Sequence, residues 1–169
     1  VHSHKESFLS PRGVNSEPLT PIPWLERSAR IFPERTALVY GDDVRMSYKD
    51  LLAEARRLGG AIARAGIGEG DVVSAMVPNV PMGLVVHFSV PGAGAVLHMV
   101  NTRLDPKTIA FQLEHAESKL LFVDCELMDL ITQALEMMEE SERPRVVQVP
   151  DPYLKDNPRQ GEQYEDFLR

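Results

Sequence analysis

Residues 72–102, VVSAMVPNVPMGLVVHFSVPGAGAVLHMVNT, lie between Asp71 and Arg103 and contain no Asp, Glu, Lys or Arg. An uncharged segment of this length raises the question of a membrane span, which needs about 20 apolar residues in one helix. Prolines and glycines interrupt the stretch too often for one continuous helix. The pattern instead predicts an apolar strand, a small apolar helix and a second apolar strand. Strands that are apolar along their whole length are typical of a parallel sheet covered on both faces, so the stretch predicts an α/β fold.

The composition is that of a soluble globular protein. The 169 residues are enough for one domain with a buried core, and 43% of them are hydrophobic while 25% are charged. The formal net charge of −7 argues against nucleic acid as a partner, because phosphate binding needs clustered Lys and Arg side chains. The single cysteine, Cys125, has no internal disulfide partner, which favours a reducing compartment such as the cytosol.

The N-terminal residues predict no element of the fold. Residues 1–19 are polar and contain Pro11, Gly13 and Pro18, so we expect a flexible segment there. They include no apolar core segment, so no secretory signal peptide is expected. The chain begins with Val1 rather than Met, which fits a processed chain or a piece of a longer one.

The residues before the uncharged stretch predict a helix, a hairpin and a second helix. Thr20 followed by proline begins the first helix, and Pro33 ends it. The runs TALVY and VRMSY flank a Gly-Asp-Asp turn at 41–43, which is the pattern of a β-hairpin. Ser47 and Asp50 have the spacing of a capping box and open a long amphipathic helix.

Strands and helices alternate through the uncharged stretch and beyond it. The predicted strands lie near 72–77, 95–100, 119–123 and 145–149. The predicted helices between them begin near Asn79 and Pro81, at Asp105-Pro106 and at Leu127. Such alternation predicts right-handed crossovers and a largely parallel sheet.

Ligands of open α/β sheets bind beyond the carboxyl ends of the strands, so the loops there hold the candidate site residues. The polar side chains in those loops are Asn79, Asn101, Arg103, Asp124, Cys125 and Glu126. Loop asparagines more often stabilise turns or cap helices than bind ligands, so a structural role is preferred for both asparagines. For Arg103, a surface ion pair with Asp105 or another acid is preferred to a phosphate or carboxylate ligand.

The remaining candidate side chains indicate structure rather than catalysis. His87 and His98 lack the spacing of a metal site, so both are expected to be buried and hydrogen-bonded to backbone. Cys125 has neither a second cysteine nor a nucleophile motif around it, so a packed thiol is expected. The glycine-rich run Gly66–Gly70 follows a helix and precedes a strand, which is the reverse of a phosphate-binding loop. The residues alone predict an α/β domain with no catalytic, cofactor-binding or metal-binding residue.

Two long stretches of the sequence resemble a known enzyme family. They are residues 45–79, RMSYKDLLAEARRLGGAIARAGIGEGDVVSAMVPN, and residues 87–124, HFSVPGAGAVLHMVNTRLDPKTIAFQLEHAESKLLFVD. Both resemble the N-terminal part of AMP-forming acyl-CoA synthetases, a family that includes 4-coumarate:CoA ligases and luciferases. Met46–Leu51 matches the family's (T/S)Y-x-x-L signature, and Gly92–Leu104 matches its AGA-v-x-x-x-N-x-R-L signature. The resemblance runs from about Leu19 to Leu168.

This resemblance implies the first subdomain of the N-terminal domain of an adenylate-forming enzyme. The implied fold is α/β, with a mostly parallel sheet and flanking helices, preceded by an N-terminal helix and a β-hairpin. The implied activity is that of an acid–thiol ligase. Such an enzyme uses ATP and Mg to convert a short- or medium-chain or aromatic carboxylic acid into an acyl-adenylate, and then transfers the acyl group to coenzyme A.

The family's catalytic motifs do not occur in this sequence. They are a Ser/Thr/Gly-rich phosphate loop that ends in Pro-Lys-Gly, and later acidic, arginine and lysine motifs. No site residue and no cofactor is therefore assigned to the chain. The resemblance divides it into the flexible segment 1–19, a partial AMP-binding domain at 20–150, and a connecting tail at 151–169 that leads toward the missing phosphate loop.

We therefore expect a fragment of an acid:CoA ligase that is not competent alone. Its expected partners are the rest of the ligase chain, the carboxylic acid and coenzyme A. The alternative is a stand-alone, non-catalytic α/β binding or scaffolding module, and an unrelated flavodoxin-like binding domain is a third hypothesis. The expected location is cytoplasmic, or peroxisomal if a signal lies beyond residue 169.

Two expectations concern the behaviour of the chain itself. If strands 72–77 and 95–100 are both central in the sheet, Val73→Asp or Val96→Asp should prevent folding, whereas Arg56→Ala should have little effect. If the sheet of a full ligase continues into later segments, this chain has an unpaired edge and is expected to be aggregation-prone.

Overall fold

The computed structural model describes residues 20–154 and 159–169, so the flexible segment expected at 1–19 lies outside the described residues. The first elements are helix α1 (Pro21–Ile31), strands β1 (Thr36–Tyr40) and β2 (Val44–Ser47), and helix α2 (Tyr48–Arg64). They are followed by β3 (Val72–Met76), α3 (Pro81–Gly92), β4 (Val96–Met99) and α4 (Pro106–His115). The last elements are β5 (Ser118–Asp124), α5 (Met128–Glu136), β6 (Arg145–Val149), β7 (Glu162–Gln163) and α6 (Tyr164–Phe167).

The strands form a hairpin and one larger sheet. Strands β1 and β2 pair antiparallel, as the Gly-Asp-Asp turn predicts. The other five strands form a sheet in the order β4-β3-β5-β6-β7, and every neighbouring pair is parallel. The predicted α/β fold with a mostly parallel sheet, flanking helices, an N-terminal helix and a β-hairpin is therefore confirmed.

Side chains of the central strand β5 alternate between two cores. Leu120 and Phe122 point into the cluster formed with α2, α3 and α6. Leu121 and Val123 point into the cluster formed with α4 and α5. All four side chains are fully buried, and this is why the strand is apolar at successive positions rather than at every second one.

Strand β4 lies at an edge of the sheet, so the expectation that it is central was wrong. Within the described residues β4 pairs only with β3, whereas β3 has β4 on one side and β5 on the other. Val96 on β4 is 53% exposed, while Val73 on β3 is fully buried. An apolar run indicates burial in general but does not determine which strands flank it. A charge at Val96 is therefore no longer expected to prevent folding.

Two helices, α2 and α4, begin with the side-chain caps that the sequence predicts. The Asp50 N–H donates to Ser47 Oγ at 3.2 Å, and the Ser47 N–H donates to Asp50 Oδ2 at 3.1 Å, which completes the predicted capping box of α2. The Asp105 side chain accepts a backbone N–H at the start of α4 in the same way. Caps of this kind contribute about 1 kcal/mol each. Helix α3 begins at Pro81 and its N-cap is the residue before it, so Asn79 does not cap this helix.

The last described residues pack into the core, although the sequence pattern had predicted only a tail there. Strand β7 adds to β6, and α6 buries Tyr164 and Phe167 against the sheet. The Tyr164 hydroxyl donates to Glu54 Oε1 on α2 at 2.5 Å. The Phe167 ring meets the Phe122 ring edge-on, with 5.6 Å between centroids. The domain boundary at 150 stays a prediction, but residues beyond it complete the α2 side of the core.

Candidate functional site

Three of the six polar residues predicted at the carboxyl edge of the sheet, Asp124, Cys125 and Glu126, lie at the end of β5, beside the unpredicted Asp151 after β6. Asp124 is the last residue of β5 and pairs in register with Val149 of β6. Asp151 follows β6 closely, and both aspartates are buried. Cys125 is buried beside them, and the Asp151 backbone N–H contacts its thiol. Cys125 is buried, so the predicted packed thiol is confirmed, and burial raises its pKa.

The Asp124 carboxylate at this edge has one oxygen with a hydrogen-bond partner and one without. Its Oδ1 atom accepts the Glu126 backbone N–H at 3.0 Å. Its Oδ2 atom is buried and has no hydrogen-bond partner among the described residues. Burial raises the pKa of the Asp124 carboxyl, the Glu126 N–H opposes that change, and the negative charge of Asp151 adds to it. The carboxyl therefore holds a proton more tightly in the folded chain than in the unfolded chain.

Asp124→Asn is expected to stabilise the chain at neutral pH. Because the folded pKa is raised, the stability of the parent is highest below the unfolded pKa and falls as pH rises through the folded pKa. The amide carries no charge and keeps the oxygen that accepts the Glu126 N–H. We expect a gain of about 1 kcal/mol at pH 7, because the amide removes the buried charge but leaves its own NH2 group without a partner, and convergence with the parent in acid.

Urea denaturation of the parent and Asp124→Asn across a pH series measures this difference. Asp129→Asn is the matched control, since Asp129 is exposed and its removal should not change the pH dependence. If the parent has the higher free energy of unfolding at neutral pH, the prediction is contradicted, because the Asp124 charge must then have a stabilising partner.

Tyrosines hold the β1–β2 hairpin against the same edge. The Tyr153 hydroxyl donates to the Tyr40 carbonyl oxygen at 3.0 Å, and the two rings lie 5.0 Å apart. The Tyr153 N–H donates to Asp151 Oδ1 at 2.7 Å. Burial raises the pKa of the Tyr40 hydroxyl, and the charge of Asp151 raises it further. These contacts were not predicted, and the only local signal was the Asp-Pro turn at 151–152.

Neither histidine is buried and bonded to backbone as predicted. His87 is exposed, although its Nδ1 atom does bond the Gly83 carbonyl oxygen at 2.6 Å. His98 is half-buried on β4, and its Nδ1 atom lies 2.9 Å from the Ser74 hydroxyl. That hydroxyl is in turn 2.5 Å from the Ser118 hydroxyl. The expectation was therefore wrong about burial for His87, and wrong about the partner for His98, whose pKa is lowered by burial.

The loop after β4 is held by its own side chains. The Asn101 side chain accepts the Arg103 backbone N–H at 2.9 Å, so the predicted turn role of this asparagine is confirmed. Arg103 is exposed and makes no ion pair within the described part of the chain. The predicted pair with Asp105 does not form, and the Asp105 carboxylate instead accepts hydrogen bonds from the hydroxyl and the N–H of Thr108.

The glycine-rich turn before β3 is structural, as its position predicts. Gly66 and Gly70 have φ of 80° and 83°, in the left-handed region that glycine adopts readily. The Gly68 N–H donates to Asp71 Oδ2 at 2.9 Å, and Asp71 also pairs with Lys119 of β5. These groups bind one another, so the turn does not point a set of free N–H groups toward a phosphate.

The two turns beyond β5 and β6 offer no cationic side chain to a phosphate group. The turns at 124–127 and 150–154 contain no Lys or Arg, and buried aspartates lie at both. No group of three His, Cys, Asp or Glu side chains in residues 20–154 and 159–169 is arranged to hold a metal ion.

Among the same residues, none of the helices has the length and apolar character that crossing a membrane requires.

Comparison with known proteins gives the family. A family model described as AMP-binding enzyme matches residues 25–167. The 2-methylpropanoate–CoA ligase CCL4 of Humulus lupulus is 43% identical over 144 residues, which are 85% of this chain and 26% of that protein. The peroxisomal butyrate–CoA ligase AAE11 of Arabidopsis thaliana is 42% identical over 137 residues, which are 79% of this chain and 24% of that protein.

Solved structures with a similar fold are also described as CoA ligases. A crystal structure described as a long-chain-fatty-acid CoA ligase from Rhodopseudomonas palustris CGA009 superposes with a TM-score of 0.72 and 26% sequence identity. The match covers 88% of this chain and 36% of that one. The chain spans about a quarter of the length of the curated relatives it matches. From the family model and these two identities, the chain belongs to the AMP-binding enzyme family, whose matched members are acid:CoA ligases.

Proposed function

We propose that this chain serves as the N-terminal part of an AMP-forming acid:CoA ligase. The proposed ligase activates a short- or medium-chain or aromatic carboxylic acid as its acyl-adenylate and transfers the acyl group to coenzyme A. The observation that carries this proposal is the identity of 42–43% to butyrate– and 2-methylpropanoate–CoA ligases across nearly the whole described fold. Both relatives are named for short-chain acids, which supports the smaller end of the proposed substrate range.

Within that ligase, we propose a structural role for these residues. The two core clusters, the capped helices and the turns whose polar groups bond one another form a folded support for the rest of the ligase. ATP, Mg and coenzyme A would be held by the rest of the ligase chain, because this sequence lacks the family's phosphate loop and no group of three His, Cys, Asp or Glu side chains among the described residues is arranged to hold a metal ion. We place the protein in the cytoplasm, with the peroxisome as the alternative, since some relatives carry that location in their names.

The chain alone is expected to be catalytically inactive. Purified chain, incubated with ATP, radiolabelled pyrophosphate and butyrate, 2-methylpropanoate or cinnamate, should give no pyrophosphate exchange above buffer. The physical reason is that the sequence lacks the family's phosphate loop and its later acidic, arginine and lysine motifs, which would cradle and neutralise the triphosphate. Exchange above buffer that titrates with the purified chain would refute this prediction of incompetence.

A chimera distinguishes the two candidate functions, a segment of a ligase and a stand-alone module. The matched 144 residues of the Humulus ligase are replaced by the aligned residues of this chain. We expect the chimera to form 2-methylpropanoyl-CoA, because a segment of the same fold supplies the same folded support. The same chimera with Val73→Asp is the control, since a segment that cannot fold should abolish the activity.

A soluble, folded chimera without ligase activity would contradict the proposal. It would favour the second candidate function, a non-catalytic α/β module that binds or scaffolds a ligase. A pull-down of a full-length relative by the intact chain would then be the expected result.

A further inference from the structure

Helix α1 carries large apolar side chains on its outward side as well as on its buried side. Leu25 and Ala29 pack into the core. Trp24 and Ile31, seven residues apart and therefore on the same face, point outward and are 59% and 48% exposed. Phe32, directly after the helix, is 47% exposed. We name Trp24, Arg27, Arg30, Ile31 and Phe32 the α1 outer strip.

The basic residues of this strip have no acidic partner. Arg27 and Arg30 are exposed and make no ion pair or hydrogen bond within the described residues. Arg35, just beyond the strip, lies over the Phe32 ring at 5.3 Å. In contrast, the nearby Arg56 is neutralised by Glu26 at 2.8 Å. The strip is therefore a local excess of positive charge on a chain whose net charge is −7.

A shallow concavity lies between this strip and helix α2. Its volume is about 770 Å³. Its lining includes the Trp24 ring and the unpaired cations Arg27 and Arg30. It also includes Arg56 with its ion-pair partner Glu26, and Lys49, which pairs with Glu34. The two unpaired arginines, beside protruding apolar side chains, fit a ligand that is anionic at one end and apolar at the other.

We propose that the α1 outer strip docks this protein on the surface of an anionic phospholipid bilayer. Trp24, Ile31 and Phe32 enter the interfacial region, where the amphipathic indole is favoured, and Arg27 and Arg30 contact the lipid phosphates. An acidic protein surface would explain the arginines but would not require a row of half-exposed apolar side chains. This contact is peripheral, and it does not depend on the proposed ligase function.

Vesicle flotation tests the docking, because protein aggregates do not float. The chain is mixed with phosphatidylcholine vesicles, with or without phosphatidylserine, at low and high ionic strength. Flotation is expected only with phosphatidylserine and should weaken with salt, since surface charge attraction is screened. Trp24 is the only tryptophan, so a blue shift of its emission, and its quenching by brominated acyl chains, place the contact at the strip.

Substitutions then identify the contact residues. Arg27→Ala/Arg30→Ala is expected to weaken binding about 30-fold, because each basic residue near an anionic surface contributes about 1 kcal/mol, or about fivefold. Trp24→Ala should weaken it by at least about tenfold, from the loss of one large buried side chain. The matched controls are Arg103→Ala/Lys107→Ala and Phe111→Ala, which remove exposed cations and a 63% exposed ring from another surface and should have little effect.

Several results would overturn the proposal. One is the absence of flotation with phosphatidylserine vesicles. Others are flotation without a Trp24 blue shift, or equal losses in the strip and control variants, since both would assign binding to another surface. Binding of poly-glutamate or inorganic phosphate that causes the same Trp24 shift and competes fully with vesicles would assign the strip to a soluble anion or an acidic protein instead.

Discussion

Val73→Asp is expected to leave the chain unfolded. Val73 lies on β3, between β4 and β5, and its side chain is fully buried in the cluster formed with α2 and α3. An introduced carboxylate would find neither water nor a cationic partner there. Burying an unpaired charge costs several kcal/mol, against a total stability of roughly 5–15 kcal/mol for a domain.

Val96→Asp is the matched control for this substitution. It makes the same chemical change on the neighbouring strand, but Val96 is 53% exposed at the sheet edge, so the new carboxylate remains hydrated. We expect its free energy of unfolding to stay within about 0.5 kcal/mol of the parent. Soluble yield, far-UV circular dichroism and urea midpoints measure both variants. A parent-like midpoint for Val73→Asp, or loss of folding in Val96→Asp, would contradict the observed strand order.

Phe122→Ala is expected to lower the free energy of unfolding by about 3–5 kcal/mol. Phe122 is fully buried on the central strand β5, and its ring packs edge-on against Phe167 of α6. Its removal opens a cavity in the cluster that the sheet shares with α2, α3 and α6. Because β7 and α6 reach the core partly through this ring, the substitution should also loosen the last described residues.

Urea denaturation measures the loss of stability, and amide hydrogen exchange of residues 162–168 measures the loosening. Phe111→Ala is the control, since Phe111 is 63% exposed on α4 and contacts only the His115 ring among aromatic groups of the described residues. A loss below about 1 kcal/mol for Phe122→Ala, or unchanged exchange in residues 162–168, would show that α6 does not depend on this contact.

Features that depend on near neighbours in the chain were predictable from the sequence. The capping box at Ser47 and Asp50 needs only residues three apart, and both of its hydrogen bonds form. The left-handed turn at Gly66 and Gly70 and the turn at Asn101 are equally local. Strands β3 to β6 were also found, since each is an apolar run between turns. Their alternation with helices was enough to predict a parallel sheet.

Side-chain partners across the sheet were not predictable. His98 was expected to bond backbone, but its partner is Ser74 on the next strand, and Ser74 also meets Ser118 on the strand beyond. These three residues are far apart in the chain and become neighbours only through strand register. Arg103 was assigned to Asp105 by proximity in the chain, but the Asp105 carboxylate bonds Thr108 as the cap of α4, and Arg103 makes no ion pair among the described residues.

The sequence by itself determined the fold class, the positions of the main elements and the resemblance to acid:CoA ligases. Only the tertiary structure decided that β4 is an edge strand, that β7 and α6 join the core, and that Asp124 keeps an unpartnered oxygen. The physical reason is the range of the interactions. Caps, turns and apolar periodicity arise within a few residues, whereas strand order and the burial of one carboxylate depend on segments that meet only after the chain has folded.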